Sequence, residues 1–513
     1  VAVNEHTRVF TSLGRPTTVP ICFGHHNCSH NQHLALRNRV LGVTPKPTAQ
    51  AVAVLKSVAR RLAAFLPRVA TEQFYVQANR YSGAKRALMV RATDRLIAWG
   101  WSDKYAAIRM FVKFELLNPG LFNSAGELLG KKNPDPRAIQ YRTAEYCMAI
   151  SRFLKPCEHA LYELQGDGVS LPPDRMVAKG LSLGSRAMLL RKKMLRFRSP
   201  VVMSVDCSRF DKHVSVPLLR IEHLVYHLMN NSKEFAHLLA LQLRSRGRSQ
   251  WFKYVAEGRR MSGDMNTALG NCILMIIMVV ASMEILGFTA RDYDMLDDGD
   301  DCLLISESHN LGLLQSRLPD IFLTFGMTLK IENIAFTMED VVFCQHRPVQ
   351  LREGTWRFVC NPQKRMANAL SSVKYNLFNV KVYRRQMITV GMCELVCSLG
   401  VPILQEYALA LIRNASGVKP FKLTASESLF HRVKAEGALM ASKFIARVDP
   451  LPITAVARES FYKAWGITAT EQIEQENNLR AWEINIVAPQ TARSVDAATW
   501  TMDQCEASDR YRL

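Results

Sequence analysis

The sequence predicts an α+β (α/β) fold in which helical flanks enclose a central mixed layer. Three observations carry this expectation. Residues 50–115 set Val54, Leu55, Val58, Leu62, Phe65 and Leu66 at helical spacing. Residues 200–345 alternate short β-like apolar runs with helical stretches, the pattern of a layered unit. Beyond Pro362 the periodicity is again mostly helical. With 513 residues and 48% hydrophobic content, the chain can bury a core of about two to four packed subdomains.

In chain order, residues 1–50 are irregular and rich in His and Asn. Cys22, His25, His26, Cys28, His30 and His33 are zinc-ligand types, but their spacing fits no standard finger, and a structural segment is the alternative. Residues 50–115 read as basic amphipathic helix. Residues 118–137 are broken by Pro119, Gly120, Gly126, Gly130, Pro134 and Pro136 and read as a loop. A helix is expected over 144–164.

The run 201–205 reads as a buried strand that ends at Asp206. Asp211 follows five residues later, and a helix then carries Leu218, Leu219, Ile221 and Leu224. Ser262 and Gly263 form a flexible loop. After it, Thr267, Leu269, Cys272, Ile273 and Ile276 mark a buried helix. The longest apolar run, 272–283, is twelve residues, short for a bilayer span and suited to a core helix. Leu296 and the apolar run 302–305 flank Asp297, Asp298, Gly299, Asp300 and Asp301. Asp-Gly between apolar runs is a hairpin signal, because Gly tolerates positive φ. Further helices are expected at 390–399, 403–413 and 427–446. Thr468 and Glu471 fit a capping box. The last twenty residues read as loosely ordered.

The 66 Lys and Arg outnumber the 45 Asp and Glu by 21, which points to a polyanionic partner, nucleic acid or an anionic membrane surface. Charge alone does not choose between these, and a merely basic protein also fits. The 12 Cys include no Cys-x-x-Cys pair, which suits free thiols in a reducing compartment. No signal peptide is visible, and the start at Val1 rather than Met suggests an upstream portion.

The chemistry lies in the carboxylates. An Asp at the exit of a buried strand is well placed to hold a metal, and a hairpin tip would present more carboxylates to it. Clustered aspartates repel by about 1 kcal/mol per close pair even in water-like dielectric. Divalent cations remove that cost, and two Mg²⁺ ions roughly 3.5–4 Å apart would serve nucleotidyl transfer. On this segment alone an exposed acidic turn or a Ca²⁺ loop also fits, although no EF-hand Glu follows. Thr267 and Asn271, at i and i+4, share a helix face. Either they are satisfied core polars, or the face bonds Asp211 and the ribose 2′-hydroxyl of a nucleotide.

Together these segments resemble the viral RNA-dependent RNA polymerases of positive-strand RNA viruses, closest to the tombusvirus-like group. Asp206-x4-Asp211, Ser262-Gly263-x3-Thr267-x3-Asn271 and Gly299-Asp300-Asp301 are similar to motifs A, B and C in order and separation. SRFDKHVS, SGDMNTALGN and DGDDCLLI carry the closer likeness, and the resemblance extends from about residue 20 to 480.

It implies a right-hand polymerase of fingers, palm and thumb, the palm an antiparallel sheet packed on helices. The expected boundaries are 1–199 for the N-terminal segment and fingers, 200–219 for the first palm part, 220–258 for a fingers insertion, 259–345 for the remaining palm, and 346–513 for the thumb and tail. It implies template-directed RNA synthesis. Asp206 and Asp300 would bind the metals, Mg²⁺ with Mn²⁺ as substitute, with Asp301 in support. Asp211, Thr267 and Asn271 would select ribose, with Ser262 and Gly263 beside them in the substrate site. Lys330 matches the motif D lysine, a general acid for pyrophosphate, although an exposed strand Lys fits it as well. Phe343-Cys344-Gln345 resembles motif E. KKNPDPRAIQYRTAEY resembles the basic motif F, in which Arg137 and Arg142 match best. Lys113 matches its first part, and Lys131 and Lys132 only by proximity. A solvated basic loop is the alternative there.

The family more often has a neutral pair before Gly-Asp-Asp, where this chain has Asp297 and Asp298. Leu116 stands where a basic residue is expected. No zinc is implied at 22–33. Expected partners are viral RNA template and product, nucleoside triphosphates, a membrane-anchored replication partner or upstream segment, and a second copy of the chain in a homo-oligomer. The expected place is the host cytoplasm at membrane-associated replication complexes. A reverse transcriptase shares a palm and two metals, but Gly299 and the Asp211/Asn271 pair argue against it. A non-catalytic RNA-binding scaffold leaves the acidic constellation without a purpose.

Overall fold

The structure, a computed structural model, describes residues 9–12, 25–114, 135–370, 379–424, 428–483 and 490–493. Lys131, Lys132, Leu116, Cys22 and the last twenty residues lie outside them.

Two helices open the described fold, α1 (Ala49–Ala64) and α2 (Gly83–Trp99). The expected helix over 50–115 is therefore interrupted. Pro67 follows the end of α1, and after α2 the chain turns extended as β1 (Ile108–Val112). In β1 the alternation of Ile108, Met110 and Val112 buries one face, a period-2 pattern overlooked within a helical text. Strand β2 (Ala138–Tyr141) pairs antiparallel with β1. Helix α3 (Ala144–Tyr162) matches the expected 144–164 and opens on the side-chain cap of Thr143. Helix α4 (Leu183–Met194) follows.

The central layer begins with β3 (Pro200–Cys207), buried along nearly all its length as the apolar run predicts. Helix α5 (Val216–Met229) comes next, then an antiparallel hairpin of β4 (Arg244–Arg248) and β5 (Lys253–Glu257). Helix α6 (Thr267–Ile285) is long and apolar enough to cross a membrane by length and composition, but 83% of its most apolar window is buried inside the fold. Strands β6 (Tyr293–Asp297) and β7 (Asp301–Glu307) form the expected hairpin, with Gly299 at φ 105° in its turn. Helix α7 (Leu311–Thr324) leads to β8 (Leu329–Ala335).

One four-stranded sheet runs in the order β8-β3-β7-β6 with every pairing antiparallel. Its inner strands pack with α5 and α6 in the largest apolar core, which includes Met203, Val205, Leu218, Ile273 and Leu304. A second four-stranded sheet runs β2-β1-β4-β5, parallel only between β1 and β4.

A further hairpin of β9 (His346–Arg352) and β10 (Thr355–Cys360) precedes the helical C-terminal part. Pro362 stands at the first turn of a short helix, Pro362–Asn368, where a missing N–H costs nothing. Helices α8 (Val380–Cys397), α9 (Leu404–Asn414), α10 (Ala455–Trp465) and α11 (Ala469–Ala481) surround a separate core around Tyr383, Met387, Tyr407 and Phe461. The helix expected over 427–446 is shorter, Ser428–Ala435, and the chain then returns on itself through a Leu439–Ile445 bridge. The capping box of Thr468 and Glu471 is formed. The ten described cysteines are free thiols, as the scattered pattern predicts.

Candidate active site

Strand pairing alone brings distant carboxylates together. Asp206 near the end of β3 is the register partner of Asp301 on β7, and on its other side of Lys330 on β8. Asp300 stands in the turn before β7. All three aspartates line a cavity of about 600 Å³ together with Asp211, Lys113 and Arg137. Burial pushes the Asp206 carboxyl up to about 6, and Glu332, Asp300 and Asp301 push the same way while Lys330 opposes them. Burial, then the charge of Asp300, raises Asp301 to about 6. A carboxylate cluster that holds its protons this tightly lacks counter-charge.

Among the described residues no three His, Cys, Asp or Glu side chains form a ready metal cage. The open donor set fits a hard cation such as Mg²⁺, which binds through one or two carboxylates, waters and substrate phosphates. The same statement covers the described part of the His/Cys segment. There Cys28 caps a helix, its sulfur accepting the Asn31 N–H, and the histidines around it build no zinc site.

The other wall of the cavity comes from α6. Asn271 Nδ2 donates to Asp211 Oδ1 at 3.1 Å, so the shared face joins the two as expected. Burial raises the Asp211 carboxyl, and the Asn271 hydrogen bond and the Arg260 charge pull against it. Arg260 Nε donates to Asn271 Oδ1 at 3.0 Å, and its guanidinium forms an ion pair with Glu222 of α5, both side chains almost fully buried. Glu222 also accepts from Tyr226 and Asn266, each at 2.8 Å. The amide of Asn271 is thus oriented by a chain of buried polar groups that reaches across to α5. Gly270 lets α6 approach this chain: a Cβ there would lie 2.5 Å from Arg260 Nη2 and closer still to Glu222 Oε1.

Thr267 also lines the cavity, but its hydroxyl bonds the carbonyls of Met261 and Asp264, each at 2.9 Å, and so fastens the loop before α6. Ser262 Oγ donates to Ala138 O at 2.8 Å, and the Gly263 N–H donates to Gln140 O at 2.8 Å. Both stitch that loop to β2. Gly263 is not part of the cavity lining.

Arg142 departs from its expectation. Its Nε donates to Asp264 Oδ1 at 2.6 Å, Nη1 to Ala106 O at 2.7 Å and Nη2 to Ser245 Oγ at 3.0 Å, and its side chain is 1% exposed. Such a guanidinium is spent on the protein and faces no phosphate. Lys330 is exposed at the edge of the site and outside the cavity lining.

The neighbours of Asp300 have separate fates. The Asp297 carboxyl is fully buried and accepts the Gly299 N–H at 2.9 Å, and burial raises it well above the usual carboxylate range. Asp298 pairs with Lys179 and Arg186, each at 2.6 Å, and accepts from the Cys344 thiol at 3.3 Å. Although burial opposes it, these cations hold the Asp298 carboxyl low. Cys344 and Gln345 both take positive φ, 49° and 63°, in a tight turn closed by Phe343 and His346. That turn, at the segment resembling motif E, leans against the acidic hairpin.

Sequence reading missed Arg39, Arg209, Lys212 and Glu332, all of which line the cavity. Arg209 and Lys212 flank Asp211 closely and were open to notice. Glu332 shares the strand parity of Lys330. Nothing local marks Arg39.

The chain matches the family model described as viral RNA dependent RNA polymerase over residues 4–487. The RNA-directed RNA polymerase of Tomato bushy stunt virus is 32% identical over 459 residues, covering 88% of this chain and 52% of that protein. Those of Turnip crinkle virus and Maize chlorotic mottle virus are 32% and 33% identical, over 88% and 78% of this chain and 57% and 40% of their own lengths. The chain spans about half the length of the curated relatives it matches. The likeness carried by three short motifs extends along nearly the whole sequence, and the chain belongs to the viral RNA-dependent RNA polymerase family.

Proposed function

We propose that this chain performs template-directed synthesis of RNA from nucleoside triphosphates and so replicates a positive-strand viral RNA genome. The observation that carries the reading is the convergence of Asp206, Asp300 and Asp301 opposite the Asp211–Asn271 pair in one basic-walled cavity.

Asp206 and Asp300 hold the cations, with Asp301 in support. Mg²⁺, with Mn²⁺ as a substitute, would lower the pKa of the attacking 3′-hydroxyl and offset charge on the departing pyrophosphate. Asp211 accepts the ribose 2′-hydroxyl while Asn271 keeps that carboxyl aimed, which favours ribose over deoxyribose. Lys113 and Arg137 face the triphosphate. Lys330, beside Asp206, gives a proton to pyrophosphate.

The fold reads as a right hand. The fingers are 1–199 with the 220–258 insertion, the palm is 200–219 and 259–345, and the thumb begins at 346. RNA template and product are the partners, with a membrane-anchored replication partner or upstream segment and a second copy of the chain as further ones. The place of action is membrane-associated complexes in the host cytoplasm.

The test is incorporation of labelled nucleotide on a short template with Mg²⁺ or Mn²⁺. Asp300→Asn lowers it by roughly a hundredfold or more. Failure of the parent to incorporate would leave an RNA-binding scaffold. Preference for deoxyribonucleotides would favour a reverse transcriptase.

A further inference from the structure

The second sheet has two unlike faces. Ile108, Met110, Tyr254 and Ala256 are buried on the inner one, against Leu36, Val40 and Met261. On the outer face the strand pairing sets Tyr141, Arg109, Arg248 and Lys253 in one row across all four strands. All four are exposed. Neighbouring strands lie about 4.8 Å apart, so the row is about 14 Å long. Arg246 lies two residues from Arg248 on the same face, paired in register with Val255, and Arg244 with Glu257 continues the face. Among the described residues no carboxylate pairs with Arg109, Arg246, Arg248 or Lys253, and the exposed Arg244–Glu257 pair is loose at 3.6 Å. At the end nearest the cavity, Phe111 meets Tyr141 edge-on with ring centroids 5.8 Å apart. Strand β2 carries both surfaces: Ala138, Ile139 and Gln140 line the cavity, and Tyr141 begins the row.

We infer that this outer face is a track for single-stranded RNA leading to the cavity, with Arg109, Arg246, Arg248 and Lys253 on successive phosphates and Tyr141 stacking a base. Cations on a twisted sheet that ends in an aromatic platform are the elements of sequence-tolerant single-strand binding. Four unpaired cations on a strand face cost little in water and attract a polyanion, and every base offers a π-face to the tyrosine. A membrane surface fits less well. Interfacial binding needs a contiguous apolar face beneath the charge, and here Val255 is the exposed aliphatic among cations. The identity of the strand as template rests on the polymerase reading, whereas the binding of a single strand does not.

The experiment measures binding of the full chain to a labelled 20-nucleotide oligouridylate across a salt series, beside incorporation on a saturating template. The variant combines Arg246→Gln, Arg248→Gln and Lys253→Gln, all exposed strand positions outside the cavity. The expected result is roughly tenfold or greater loss of affinity at low salt and a salt slope shallower by about 2, at 0.7 per phosphate contact. The Arg248→Lys variant keeps near-parent binding, which separates lost charge from lost folding. Tyr141→Ala weakens binding without changing the slope, and Tyr141→Phe restores it.

Unchanged affinity and slope in the triple variant overturn the track. So does equal weakening toward duplex RNA, or loss of binding to phosphatidylserine vesicles with RNA binding intact. If the parent incorporates no nucleotide but the slope falls as expected, the polymerase reading fails and the track stands. If incorporation is normal and the slope is unmoved, the track fails and the polymerase reading stands.

Discussion

Replacing Gly270 with alanine sets two effects of opposite sign against each other. In an ordinary helix interior the change stabilises by about 1 kcal/mol, because glycine gives up more backbone freedom. Here the new Cβ would lie 2.5 Å from Arg260 Nη2 and nearer still to Glu222 Oε1, within an ion pair whose side chains are 1% and 0% exposed. Neither partner has solvent to move into. Separating a buried pair so that a charge is left unmatched costs about 3–5 kcal/mol. The clash therefore wins, with a net loss of about 2–4 kcal/mol. Because Arg260 also holds Asn271, and Asn271 holds Asp211, the preference for ribo- over deoxyribonucleotides should shrink along with stability. Thermal unfolding and competition between the two nucleotide types read these effects in parallel. A Gly270→Ala protein that melts higher than the parent and keeps its sugar preference would refute the reasoning, since propensity would then have prevailed.

Other perturbations read other parts of the fold. Glu394 sits between Arg365 and Arg432; burial raises its carboxyl, but the two guanidiniums prevail and hold it at about 2. A depressed carboxylate stabilises above its unfolded value near 4.5 and loses that contribution as pH falls toward 2, here about 3 kcal/mol. Glu394→Gln should flatten the dependence of the urea midpoint on pH between those values. Asp206 has the opposite sign: raised to about 6, it weakens the metal-free protein as pH climbs through that value. Asp206→Asn should thus stabilise the protein in EDTA at pH 8 by about 1 kcal/mol after discounting for solvent screening, and abolish most of the rise in melting temperature that Mg²⁺ gives the parent. Arg142→Ala leaves Asp264 alone in the interior, a cost of about 3–5 kcal/mol. It should lower the melting temperature and leave the nucleotide KM of the folded protein unmoved. A raised KM at an unchanged melting temperature would return Arg142 to phosphate binding.

The parts of the site legible in the sequence were those written locally. The apolar run ending at Asp206, the Asp-Gly turn, and the i, i+4 relation of Thr267 and Asn271 each express a backbone period, and each took the expected form. Side-chain direction was not legible. Arg137 and Arg142 stand in one basic stretch, yet one lines the cavity and the other is sealed beneath it, because Asp264 lies 122 residues away. Glu222 and Arg260, which orient Asn271, are 38 residues apart with no common motif. In β1, five residues of alternation were hidden beside long helical periods, so the second sheet went unnoticed.

Formal charge misleads at the hairpin tip. By letters, DDGDD is four negative charges; by environment, Asp297 keeps its proton and Asp298 is outnumbered by Lys179 and Arg186. What the tip offers outward is then the anionic capacity of two residues, as in polymerases whose corresponding pair is neutral by composition. Asparagine at 297 should accordingly be nearly silent in incorporation assays, and alignments scored on residue type will overstate how far this chain has diverged there.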